Sequence, residues 1–137
     1  MENLEETRLY NGGEWTKARW NSFVKSALRS ASLRWPARYK TLNASKTLVK
    51  TNVKTGRLAQ HHRCKQCQLD FPAKDVRVDH IQAIIDPAIG FTSWDDVIDR
   101  MFCEADNLQV LCTTCHNEKT TAEKQQSKER KANAKFK

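Results

Sequence analysis

Between Trp15 and Gln60 there is not one aspartate or glutamate, although eleven lysines and arginines fall in that stretch. The sequence also lacks any apolar run near the roughly 18 residues needed to span a bilayer. Its opening, Met1-Glu2-Asn3-Leu4-Glu5-Glu6, has neither the positive start nor the apolar centre of a secretion signal. Three glutamates ahead of the Arg- and Ser-rich residues 15–60 argue equally against a mitochondrial transit peptide. These absences predict a soluble, cytoplasmic protein with no membrane association. Apolar residues are scarce too, at 39% of 137 residues, so one modest core is expected, and something besides burial has to hold it together. No internal repeat is visible.

What is present is charge, placed unevenly. Residues 1–60 carry the whole net charge of +8, and residues 61–137 hold as many acids as bases. A basic, acid-free segment repels itself unless a polyanion neutralises it, and nucleic acid is the commonest such partner. A solvated helical surface would account for the same charge.

The hydrophobic pattern divides the chain. Residues 1–13 read as a loose start ending at the breaker Asn11-Gly12-Gly13. From Trp15 the spacing is helical, with Trp15, Ala18, Phe23, Ala27 and Leu28 on one face, and Trp35-Pro36 ends that helix. A second helix is expected from Pro36 to about Leu48, then a polar linker over residues 49–60. Together these make residues 14–60 a basic helical region. Val76-Arg77-Val78-Asp79-His80-Ile81 and Leu108-Gln109-Val110-Leu111 read as short strands. Between them Thr92-Ser93-Trp94-Asp95 has the form of a helix start, followed by Val97, Ile98 and Met101 at helical spacing. A charged helix follows from Thr113, expected to fray into a basic tail over residues 126–137. The fold class predicted is small α+β.

Cys64-Lys65-Gln66-Cys67 and Cys112-Thr113-Thr114-Cys115 are two Cys-x-x-Cys pairs separated by 44 residues. Two residues between thiolates let the backbone turn tightly enough for both sulfurs to reach one ion, and two such turns complete a tetrahedral structural zinc site. A half-chain poor in large apolar groups lies near zero net stability without such a staple. Structural zinc contributes on the order of 10–16 kcal/mol in small peptides. The fifth cysteine, Cys103, reads as a buried, inert thiol. His61 and His62 read as exposed polar residues beside the first pair.

Asp79, His80 and His116 are the remaining residues suited to chemistry. The zinc site pins His116, which follows the last cysteine, and anchors the chain leading into Asp79-His80. A carboxylate and an imidazole converging on one point suit a divalent ion with open positions, and a second imidazole beside them can act as a base near neutral pH. Adjacent strand residues face opposite sides, so His80 capping a strand and His116 capping a helix explain the pattern equally well.

Val78-Asp79-His80-Ile81, then Asp106-Asn107-Leu108-Gln109-Val110-Leu111, then Cys112-Thr113-Thr114-Cys115-His116-Asn117-Glu118-Lys119-Thr120 resembles the three-part signature of the HNH endonucleases, in particular small phage and prophage members with a four-cysteine zinc finger. The resemblance runs from about Arg63 to Thr121. It departs at Ala83, where relatives often carry proline. The basic N-terminal region, with Arg29, Trp35-Pro36 and Gly56-Arg57, is similar as well, less distinctively.

The resemblance implies a ββα-metal nuclease domain over residues 61–125, stapled by zinc on Cys64, Cys67, Cys112 and Cys115. It implies one catalytic divalent ion, magnesium or manganese, on Asp79 and His116, with His80 as general base and Asn107 holding the loop that orients it. Double-stranded DNA would be the substrate, with Arg19, Lys25, Arg29, Arg34, Arg38, Lys40 and Lys119 along its phosphates. Phage DNA-packaging proteins are a further partner the resemblance suggests. A zinc-knuckle nucleic-acid-binding protein without catalysis explains the cysteines and the charge as well, but not Asp79, His80, Asn107 and His116. A Cys-x-x-Cys redox protein explains neither the pairing nor the basic arm.

Overall fold

A computed structural model of the chain describes residues 9–135. The part of the expected loose start before Leu9, and residues 136–137 of the expected tail, lie outside the described residues. The chain divides into two compact units between Arg34 and Trp35.

In the first unit, Asn11, Gly12 and Gly13 all take positive φ (52°, 63° and 86°) and fold the chain back, so that the Trp15 amide donates to the Tyr10 carbonyl at 3.0 Å. Two of the three are glycines because an L side chain is strained there. Helix α1 (Lys17–Ser32) follows. Its N-cap is Thr16, whose Oγ1 accepts from the Arg19 amide at 3.2 Å and satisfies one of the otherwise unpaired first-turn donors. Aromatic pairs fasten the turn to the helix: Tyr10 stacks on Trp20 at 4.8 Å, and Trp15 meets Phe23 edge-on at 5.2 Å.

The second unit begins with Trp35, whose indole Nε1 donates to the Cys103 carbonyl at 2.6 Å and whose ring meets Phe102 edge-on. Helix α2 (Pro36–Ala44) has proline in its first turn, where no intrahelical N–H is needed. It stops earlier than the expected Leu48. Strand β1 (Lys46–Thr51) starts there instead and pairs antiparallel with β2 (Leu58–Arg63), which pairs with β3 (Asp70–Pro72). The expected polar linker over residues 49–60 is therefore most of a β-hairpin. Its turn is built by Asn52, whose Oδ1 accepts from the Lys54 amide, and by Gly56 at φ 73°.

The second sheet has two antiparallel strands, β4 (Val76–His80) and β5 (Leu108–Cys112), with Asp79 directly opposite Gln109 and Val76 opposite Cys112. Helix α3 (Trp94–Met101) lies between them in sequence. Its cap is one residue later than the expected Thr92: the Ser93 hydroxyl accepts from the Asp96 amide at 3.1 Å. Helix α4 (Thr113–Ala134) closes the chain. Val97, Met101, Leu111 and Cys64 are the largest fully buried side chains, joined by Val76, Leu108, Val110 and Cys112. The core is small and lies between the sheets and helices of this unit. The architecture is thus small α+β, with four helices and two small antiparallel sheets among the described residues. None of these helices is long and apolar enough to cross a membrane.

Three local expectations are corrected. His61 and His62 are buried, at 3% and 2% exposure, because β2 is the central strand of its sheet. His62 Nδ1 lies 2.9 Å from the Ser45 hydroxyl and 3.1 Å from the Leu42 carbonyl, and burial holds its pKa below the ordinary value, with Lys46 and His61 adding to the effect against the Leu42 carbonyl. Cys103 is only partly buried. Helix α4 runs to Ala134 instead of fraying, because Arg130 donates to the Pro87 carbonyl at 3.1 Å and its guanidinium lies over Gly90. A Cβ on Gly90, itself at φ 89°, would come within 2.9 Å of that guanidinium.

Candidate metal centre and acid–imidazole site

The four paired cysteines come together. Cys64 and Cys67 lie in the turn between β2 and β3; Cys112 ends β5, and Cys115 lies in the first turn of α4. Their Sγ atoms all fall within 4.8 Å of one another, and Cys67 and Cys112 are 4.0 Å apart. Thiolates on one tetrahedral zinc stand about 3.8 Å apart, given zinc–sulfur bonds of about 2.3 Å. The cluster could therefore hold a structural metal such as zinc. Each turn also aims an amide at its own first sulfur, Cys67 N to Cys64 Sγ at 3.5 Å and Cys115 N to Cys112 Sγ at 3.4 Å. These bonds stabilise thiolate over thiol.

The surroundings act differently on different sulfurs: the Leu69 backbone would lower the Cys67 thiol, but burial and contacts with Cys64 and Cys112 hold it above its ordinary value. Burial would raise the Cys64 thiol, but backbone amides around it, that of Cys112 foremost, bring it down to about 6. Burial pushes Cys115 up to about 12, helped by its contacts with Cys112 and Cys64. Four thiols this close do not all ionise unless a cation neutralises them.

The β4–β5 ladder and α4 assemble a second group of residues. Asp79 Oδ1 lies 3.9 Å from His116 Nε2. Its other oxygen accepts from Gln109 Nε2 at 3.0 Å and is 3.2 Å from the Lys119 ammonium. Two ligands on one magnesium ion, each at about 2.1 Å, stand at most about 4.2 Å apart. The Asp79–His116 gap lies between the roughly 3 Å of adjacent ligands and the roughly 4.2 Å of opposite ones on such an octahedral ion, and of the two donors the carboxylate is the one that suits magnesium or manganese.

His80 is the last residue of β4 and pairs with Leu108. Its Nε2 is 3.0 Å from the Met101 carbonyl at the end of α3. A carbonyl only accepts, so Nε2 carries a proton, and in the neutral ring Nδ1 is then the accepting nitrogen. Asn107, in the short turn before β5, binds the chain just past His80: its Oδ1 accepts from the Gln82 amide at 3.0 Å, and its carbonyl accepts from the Ile81 amide at 2.8 Å. Asn107 thus holds the loop and touches neither Asp79 nor His116 by any hydrogen bond.

Of the other expected site residues, Arg19, Lys25 and Arg29 are on α1, Arg34 follows it, and Arg38 and Lys40 are on α2. Arg19 lies over the Trp15 ring at 4.6 Å, and Lys25 and Arg29 share one face of α1, one helical turn apart. Lys119 is inside the acid–imidazole group rather than on an open surface. Two participants are not singled out by sequence reasoning. Gln109 becomes legible as the residue opposite Asp79 only once the strand register is known. Glu123 lies one turn after Lys119 and binds it at 2.8 Å, a spacing visible in the sequence.

No family model matches the chain, and no curated protein or solved structure matches it.

Proposed function

We propose that the chain is a metal-dependent DNA endonuclease of the HNH type, with the ββα-metal finger formed by β4, β5 and α4 and stapled by zinc. The observation that carries this reading is the 3.9 Å approach of Asp79 Oδ1 to His116 Nε2, made by residues thirty-seven positions apart in sequence. It is supported by the antiparallel pair followed directly by a helix, and by an imidazole with a fixed tautomer on the residue next to Asp79.

In this reading His80 Nδ1 takes a proton from water as the water oxygen attacks phosphorus, and the bond from phosphorus to the 3′-oxygen breaks, the departing alkoxide taking a proton from a solvent water. By resemblance to the HNH enzymes the products carry 5′-phosphate and 3′-hydroxyl ends. Asp79 and His116 would hold the divalent ion, which supplies Lewis-acid stabilisation of charge on the phosphoryl and departing oxygens. The Met101 carbonyl and Asn107 keep His80 oriented. The basic face of α1, with Lys25 and Arg29, supplies attraction for the DNA backbone.

The test is nicking of supercoiled plasmid by zinc-loaded protein with magnesium or manganese, beside His80→Ala at equal zinc content. Conversion to nicked or linear DNA should fall at least about a hundredfold in the variant. Equal behaviour of the two proteins, with DNA retarded in a gel, overturns the reading. That outcome would favour a zinc-knuckle binding protein without catalysis. One observation speaks for this alternative: Asp79 already has its charge compensated by Lys119 at 3.2 Å.

A further inference from the structure

A lysine ammonium has three N–H donors and no acceptor. All three donors of Lys119 are matched inside the protein: Nζ lies 2.8 Å from Glu123 Oε2, 3.0 Å from the His80 carbonyl and 3.2 Å from Asp79 Oδ2. No hydrogen is left for a phosphate unless one of these bonds opens. The side chains are sheltered, with Lys119 25% and Asp79 12% exposed, so water screens this charge less than it would a surface pair. The ammonium thus lies 3.2 Å from one oxygen of the carboxylate whose other oxygen is 3.9 Å from His116 Nε2.

Two effects on a divalent ion follow. Asp79 Oδ2 is fully engaged by Gln109 and Lys119, which draws negative charge away from the carboxylate. A fixed positive charge a few ångströms away also repels the incoming cation. Glu123, one turn further along α4, keeps the lysine in place, and the His80 carbonyl fixes it from the strand. A bond network of this kind gives modest stability, because desolvating three charged groups offsets much of their attraction.

We propose that Lys119, held by Glu123, is a built-in counter-cation that lowers the affinity of the Asp79–His116 pair for a divalent ion until a phosphate draws the lysine away. The inference rests on the reading of Asp79 and His116 as an ion site. It makes Lys119 a positioning residue: its charge is lent to Asp79 in the resting protein and is available to the DNA backbone afterwards.

The experiment needs no DNA and no turnover. Manganese is titrated into the zinc-loaded full chain, and free manganese is read by electron paramagnetic resonance. Lys119→Met should tighten manganese binding at least tenfold, and Lys119→Arg, which keeps the charge, should stay within threefold of the parent. Lys119→Gln serves as a second neutral variant if zinc content or thermal unfolding shows that the methionine variant is misfolded. Asp79→Asn should abolish the binding in every background. Binding that depends on Asp79 but is unchanged by both neutral variants overturns the counter-cation and leaves the ion site standing. Binding that survives Asp79→Asn, or no binding in any variant, overturns both.

Discussion

His80 owes its orientation to backbone groups more than to other side chains. The Met101 carbonyl sets its tautomer, and Asn107 ties down the residues that follow it. Asn107→Ala should therefore cost about 0.5–1.5 kcal/mol, the net worth of a hydrogen bond to an exposed amide, and on the proposed reading should slow DNA cleavage without altering zinc content. Urea denaturation in zinc-saturated buffer checks the first part, and an unshifted midpoint refutes it. His62 is the same lesson in a place where chemistry is absent. Its ring satisfies the Ser45 hydroxyl and the Leu42 carbonyl, so it joins the end of α2 to β2. His62→Ala should lower stability by about 1–3 kcal/mol and leave nicking by the folded fraction intact. Adjacency to a cysteine pair makes both histidines look like surface residues in the sequence. Only the strand's central place in its sheet buries them.

At the scale of elements, legibility follows hydrophobic period. Strands β4 and β5 and helix α3 are readable because their apolar residues recur at two- or helix-like spacing against a buried neighbour. The β1–β2 hairpin is not, since every β1 residue is exposed and Lys46-Thr47-Leu48-Val49-Lys50-Thr51 carries no one-sided pattern. That strand is held by its backbone ladder to β2, which leaves little trace in composition. The cysteine cluster is fully legible, because ligand spacing is a covalent constraint. The approach of Asp79 to His116 is half legible: the cysteine turns bring the two segments together, and only the resemblance chooses convergence over separate capping roles. Helix α4 outruns its expected length because one polar clasp holds its end, where apolar anchors are lacking. Arg130→Ala should accordingly raise amide exchange over about the last two turns of α4 while the first turns stay protected. Uniform protection along the helix would show that the clasp is idle. At the helix's other end the Cys112 sulfur caps the first turn. Strong chelation, or Cys112→Ser, should therefore melt the region from β2 to α4 and lower the far-UV helical signal. Thermal unfolding unchanged after verified zinc removal would count against the staple.

At the scale of the whole molecule, the two units divide the chain's properties. The acid-free helix α1 belongs to the first unit, and the cysteine cluster with the acid–imidazole group belongs to the second. Lys25→Ala with Arg29→Ala should weaken DNA binding and reduce the slope of log affinity against log salt by about 2, at roughly 0.9 ion per phosphate contact. Binding with an unchanged slope would assign that helix face another partner. The separation of the ligands along the chain also fixes an order of events at the ribosome, from which a chain emerges N-terminus first. Cys64 and Cys67 must wait for Cys112 and Cys115, and Asp79 and His80 for His116. The basic unit thus emerges before either ligand set of the second unit can assemble. On the proposed reading, a growing chain holds no cutting site until His116 has emerged.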